Sequence, residues 1–169
     1  MEQLARDARI TTLYEGTTGI QSLDLIGRKT AASGAAGLKL FLGLIDQFAS
    51  AHQDDAAVAE FLGPLREKAA EWGALTQDVL KRAAANPEEL GAASTDYLFY
   101  SGYVVLAYWW ARSVVAARAS QHDAAFKQAK LETARFYYAR ILPRTLSHAA
   151  AIRAGADSLM AMDASRFDA

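Results

Sequence analysis

The sequence predicts an all-α chain. Three observations carry that expectation. Only three prolines occur in 169 residues. Alanine, the strongest helix former, is abundant. Apolar residues also recur three and four positions apart over long segments, the spacing that lines one face of a helix. Hydrophobic residues make up 52% of the chain, enough for a sizeable core, and charged residues 22%, a balance outside the disordered class.

The expected elements follow in order. A first helix covers about Met1 to Ile10 and begins without a capping residue. A short β-branched and aromatic link, Thr11 to Glu15, leads to a second helix. Thr17 or Thr18 is placed to cap it, and it runs to about Lys29 with Ile20, Leu23 and Ile26 on one face. Ala31-Ala32-Ser33-Gly34 reads as a hinge. A domain boundary is placed there, dividing residues 1–33 from residues 34–169.

Beyond the hinge, Leu38, Phe41, Ile45 and Phe48 form one stripe. Asp54 or Asp55 caps a longer segment with Val58, Phe61, Leu65, Trp72, Leu75 and Val79 at near-heptad spacing. Gly63-Pro64 is expected to kink or break it near its start. Asn86-Pro87 is a stop, and Pro87 with Glu88 and Glu89 opens a further helical turn. Thr95 or Asp96 then starts the most apolar helix, ending near Ala119. It is hydrophobic nearly all round, so it is expected at the centre of the fold. Ser120 to Asp123 is a turn. Phe126, Ala129, Thr133, Phe136, Tyr137 and Ile141 mark another helix, interrupted by Pro143, and a last helix runs to about Ala156. Four long helices with short connections predict an antiparallel bundle over about 35–155.

The composition excludes several functions. The net charge is −1, with both signs interleaved, so no polyanion-binding surface is expected and nucleic acid is not an expected partner. The absence of cysteine excludes disulfides, thiol catalysis and cysteine-ligated metals. The opening residues, with Arg6, Asp7 and Arg9, do not read as a secretory signal, and a cytoplasmic location is expected. Tyr97 to Ala111 is apolar apart from Ser101, but shorter than the roughly 18–20 residues of a membrane span. No metal site is expected: none of His52, His122 and His148 follows a glutamate by three positions, the di-iron bundle signature. The aromatic group Trp72, Tyr97, Tyr100, Tyr103, Trp109, Trp110, Phe136 and Tyr137 is expected in the core rather than in a ligand pocket.

The stretch that carries chemistry is the first thirty residues. Arg6-Asp7-Ala8-Arg9-Ile10, Tyr14-Glu15-Gly16-Thr17 and Ile20-Gln21 resemble, in order and spacing, the final conserved block of the acyl-CoA dehydrogenase family. Residues from about Gly34 onward resemble the extra helical domain that one branch of that family appends, with the Leu142-Pro143-Arg144 break and Ala154-Gly155-Ala156 near the end.

The resemblance implies α,β-dehydrogenation of an acyl-CoA thioester, with FAD as cofactor and electron-transferring flavoprotein as its oxidant. It makes Glu15 the base that removes the α proton. A carboxylate doing this must lie within hydrogen-bond reach of the proton and be desolvated so that its pKa rises. Leu13, Tyr14 and Gly16 around Glu15 suit an apolar cleft. Gly16 lets the thioester approach the backbone closely. The backbone N–H of Glu15 helps hold the thioester carbonyl. Thr17, Thr18 and Gly19 are expected against the flavin dinucleotide near its phosphates, at a helix N-terminus, with Gly19 contributing through its backbone. Arg6 and Asp7 are read as a structural ion pair or cap and Tyr14 as packing. Gln21 is read as a structural or flavin-adjacent hydrogen-bonding residue. A homo-oligomer is the expected assembly. The alternative reading of the chain is a non-catalytic helical module for interaction or oligomerisation.

Overall fold

A computed structural model describes residues 2–168. Every element among them is helical. Helix α1 (Glu2–Arg9) passes into a 3₁₀ turn (Ile10–Thr12), and α2 (Thr17–Leu23) continues as a π-helical stretch (Asp24–Ala31). The bundle follows: α3 (Ala36–Ala51), α4 (Ala56–Ala83), α5 (Glu88–Ala119) and α6 (Ala124–Phe136). The last of these leads through a π turn (Tyr137–Ile141) and a 3₁₀ turn (Leu142–Arg144) into α7 (Thr145–Ala154). A short α8 (Asp157–Met160) and a 3₁₀ turn (Ala164–Asp168) end the chain.

Helix α5 is the axis, packing against α2, α4, α6 and α7. Its Tyr97, Tyr100, Val104 and Ala107 are almost wholly buried, with Leu65, Trp72, Leu75 and Val79 of α4 and Ala149 and Ile152 of α7. A second cluster fills the other end, where Val58, Phe61 and Leu62 meet Ala49, Ala111, Val114 and Ala134. All six apolar positions expected on the α4 stripe are buried. Buried tyrosines spend their hydroxyls on neighbouring helices. The Tyr137 hydroxyl donates to the Tyr103 carbonyl at 2.9 Å, Tyr138 to the Ala107 carbonyl at 2.9 Å, and Tyr100 to the Lys68 carbonyl at 3.0 Å.

Several expectations change. Pro64 does not break α4, which runs through it. Pro64 and Glu60, whose carbonyl loses its i+4 donor, both face solvent, where water can serve that carbonyl. The apolar helix does not start at Thr95 or Asp96. It is one helix from Glu88, because Pro87 sets the entry and the turn it opens simply continues. The first position of α2 is Thr17, and neither threonine caps it; Gly16, at φ 73°, takes the N-cap position. At α4, Asp55 is the cap, accepting from the Ala57 N–H at 3.1 Å.

Two expected stripes are buried only in part: Ile26 of the first, and Tyr137 and Ile141 of the second, reach the core. In α2 and its continuation the buried residues are Ser22, Ile26 and Thr30, while Ile20 and Leu23 are exposed. The small Ser22 side chain lets α2 approach α5 closely. In α6, Phe126, Ala129, Thr133 and Phe136 face outward, and Leu131, Ala134, Tyr137 and Tyr138 face in. The expected stripe holds only from Tyr137 onward, where the Tyr137 and Tyr138 hydroxyls reach α5 carbonyls. Trp109 of α5 and Phe136 of α6 leave the expected aromatic core, exposed at 50% and 58%.

Candidate functional site

The loop that carries Glu15 is built by local bonds. The Thr11 hydroxyl donates to the Ala8 carbonyl at 2.7 Å and Thr12 to the Arg9 carbonyl at 2.8 Å. The Leu13 N–H returns to the Ile10 carbonyl at 3.0 Å, closing the 3₁₀ turn. Tyr14 and Glu15 are irregular links to Gly16. At φ 73° Gly16 lies in the left-handed region that favours glycine, and a β carbon added there would meet nothing within 4 Å. Thr17, Thr18 and Gly19 open α2, where backbone N–H groups lack helical partners.

Glu15, Gly16, Thr17, Thr18 and Gly19 are thus contiguous, and all five are exposed. The apolar walls expected around the base are not closed within these residues: Leu13 and Tyr14 are exposed at 65% and 62%. Tyr14 packs on nothing in the bundle's core, and Gln21 is exposed. Arg6 and Asp7 do not pair with each other. Arg6 reaches Glu2 and Gln3, and Asp7 accepts from the Gln3 amide at 2.6 Å. Residues four apart share a helix face, whereas neighbours diverge by about a quarter turn.

The bundle holds polar groups that sequence reasoning passed over. Glu71 of α4 joins three helices, bonding Arg153 of α7 at 2.6 Å, Lys68 at 3.1 Å and the Tyr100 hydroxyl of α5 at 2.9 Å. Burial pushes its carboxyl up, but the hydrogen bonds from Arg153, Lys68 and Tyr100 outweigh that and hold it below the ordinary range. Burial, then the Glu71 bond, drives the Tyr100 phenol far above its usual value. His148 Nδ1 lies 2.7 Å from Asp96, with the ring stacked against Phe99 and Tyr103. Arg112 lies over the rings of Trp109 and Tyr108. The signal for that group was present in the sequence, since residues three and four apart touch on a helix. Among the described residues no three His, Cys, Asp or Glu side chains could hold a metal ion, and no helix is long and apolar enough to cross a membrane.

The described residues form an all-α fold, and comparison with known proteins says which family such a chain belongs to. The family described as acetyl-CoA dehydrogenase C-terminal like matches residues 41–163, and the chain belongs to that family. It is similar to 3-methylmercaptopropionyl-CoA dehydrogenase of Ruegeria pomeroyi, with 32% identity over 94% of this chain and 28% of that protein. It is also similar to butyryl-CoA dehydrogenase of Syntrophomonas wolfei, with 26% identity over 83% of this chain and 24% of that protein. The broad-specificity linear acyl-CoA dehydrogenase FadE5 of Mycobacterium tuberculosis matches at 26% identity over 99% of this chain and 29% of that protein. The chain therefore spans less than a third of the length of these relatives.

Proposed function

We propose that this chain is the C-terminal helical portion of a FAD-dependent acyl-CoA dehydrogenase, and that Glu15 is the base for α,β-dehydrogenation of an acyl-CoA thioester. The observation that carries this reading is the Arg6–Ile10, Tyr14–Thr17 and Ile20–Gln21 block in a chain whose matches to acyl-CoA dehydrogenases extend over as much as 99% of its length. Residues 1–33 complete the enzyme's helical domain, and residues 34–169 are the appended bundle.

In this reading the Glu15 carboxylate takes the α proton once the rest of the enzyme covers Leu13 and Tyr14 and excludes water. Gly16 leaves room for the thioester, and the Glu15 backbone N–H holds its carbonyl and the enolate charge that develops there. FAD, when bound, supplies the acceptor for the β hydride. Thr17, Thr18 and Gly19 suit an anionic phosphate through their N–H groups, but they are one exposed edge and do not enclose a dinucleotide. Electron-transferring flavoprotein as oxidant, a homo-oligomeric assembly and a cytoplasmic location belong to the same proposal.

The test is Glu15→Gln in the enzyme that includes the flavin-binding portion. The amide keeps the shape and cannot accept the proton. Flavin should stay bound while turnover falls by several orders of magnitude; near-normal turnover would place the base elsewhere. The chain alone should bind no stoichiometric FAD and show no dehydrogenase activity. One helix terminus contributes about 1 kcal/mol, against several kcal/mol for immobilising a large ligand.

A second reading, a non-catalytic interaction module, draws on the outward face of α6, where Phe126 and Phe136 are exposed. It predicts that Phe136→Asp changes the oligomeric state measured by sedimentation and leaves turnover of the intact enzyme alone.

A further inference from the structure

The bundle carries a groove remote in sequence from the Glu15 loop. It lies between the C-terminal half of α3 and the C-terminal half of α5, with a volume of about 540 Å³. That is within the roughly 300–1,000 Å³ typical of small-molecule sites. Leu44, Phe48, Tyr108 and Trp109 supply apolar surface, and Gln47, His52, Arg112 and Ser113 the polar edge. No acidic residue lines it.

We propose that this groove binds a small amphipathic carboxylate, with its apolar body against Trp109, Phe48 and Leu44 and its carboxylate on the Arg112 guanidinium. Arg112 is the group that selects the ligand. Its guanidinium lies over the Trp109 ring at 4.9 Å and the Tyr108 ring at 5.6 Å, and donates to the Tyr108 hydroxyl at 3.3 Å. A stacked guanidinium loses little further freedom on binding, and its fork matches a carboxylate's two oxygens.

Several other arginines of the bundle are already committed to carboxylates, and Arg112 is not. Arg82, Arg118, Arg135 and Arg153 each meet a carboxylate of this chain. Among the described residues no carboxylate lies within ion-pair distance of Arg112. An uncommitted, preorganised cation beside an exposed tryptophan repels a cationic ligand. It also distinguishes an acid from a neutral molecule of the same shape. The groove is open at the surface, so a chain of several carbons can lie along it with the head group at Arg112. This inference is independent of the role of Glu15.

The experiment is isothermal titration of the 169-residue chain with octanoate, and with octanamide as the uncharged control. Arg112→Gln is the variant. Arg112 is exposed and in no ion pair among the described residues, so its circular dichroism spectrum should match the parent's. The expected result is one octanoate per chain, with octanamide at least tenfold weaker and octanoate at least tenfold weaker on Arg112→Gln. The proposal is overturned by any of three results: no saturable binding, octanamide binding as well as octanoate, or an Arg112→Gln variant that binds octanoate unchanged. Sedimentation under the same conditions adds a fourth outcome. A dimer that closes this face and admits no octanoate would assign the groove to a second copy of the chain and overturn the small-ligand reading.

Discussion

Residues 2–21 and the bundle are both mainly helical and are held in different ways. No residue of α1 is buried, and every residue through Gln21 is exposed. What orders α1 within the chain is a set of side-chain pairs three or four apart, Gln3 with Asp7 and Arg6 with Glu2 and Gln3. Such pairs contribute roughly 0.2–0.5 kcal/mol each, and an isolated helix needs on the order of 12–15 residues to be even marginal in water. Helix α5, by contrast, runs 32 residues through the middle of the fold and buries twelve of them. The same local pattern thus yields a self-supporting element in one place and, in the other, one that needs a surface to lie on. The proposed base sits in the second kind. Its exposed neighbours Ile10, Leu13, Tyr14 and Ile20 are the apolar surface such a covering would use.

The largest effect expected from this contrast is in the core. Tyr97→Ala or Phe61→Ala should destabilise the chain by roughly 3–5 kcal/mol. Leu13→Ala should stay within about 0.5 kcal/mol. Urea unfolding of the three variants measures both; equal costs would erase the distinction.

Gly155 sharpens it at the end of α7. Its φ is 73°, and an added β carbon would come within 2.6 Å of the Arg82 guanidinium and 3.2 Å of the Glu89 carboxylate. Those groups form an ion pair, and together they cap the Ile152 carbonyl and the Ala156 N–H. Gly155→Ala should cost about 1–3 kcal/mol. The other left-handed glycine of interest, Gly16, has nothing near it. Its substitution should therefore cost the chain less than that of Gly155, while in the intact enzyme it should impair substrate binding.

A smaller effect is expected from pH. The Glu71 carboxyl is held below its ordinary 4.5 in the folded state. A depressed folded pKa contributes stability above the unfolded value, and that contribution is lost as pH falls through the folded one. Stability should therefore decline as pH drops below about 4.5. Glu71→Gln should flatten that part of the profile in thermal unfolding followed against pH.

The bundle was largely legible in the sequence because its long helices carry periodic apolar residues and clear stops. The α4 stripe, the Asp55 cap, the Asn86-Pro87 turn and the Pro143 break all follow from short-range chemistry. Two kinds of information were not local. How far along α6 the expected stripe turns inward depends on carbonyls of α5 that accept from Tyr137 and Tyr138. Whether Pro64 breaks α4 depends on solvent reaching the orphaned carbonyl. The Glu15 loop was legible as a motif, but the left-handed turn at Gly16, which takes the cap position expected of Thr17 or Thr18, was not. Nor was the loop's apolar cleft, because the covering surface is not formed by residues 2–168. Arg112 was missed for another reason: its pairing with Trp109 was readable, but the groove opposite α3 is a tertiary feature.

Amide hydrogen exchange on the chain alone tests the contrast most directly. Amides of α4 and α5 should exchange only with global unfolding, and those of residues 2–21 should exchange within the dead time or close to it. In the intact enzyme the amides around Glu15 should become protected. Protection of residues 2–21 in the isolated chain equal to that of α5 would contradict the account.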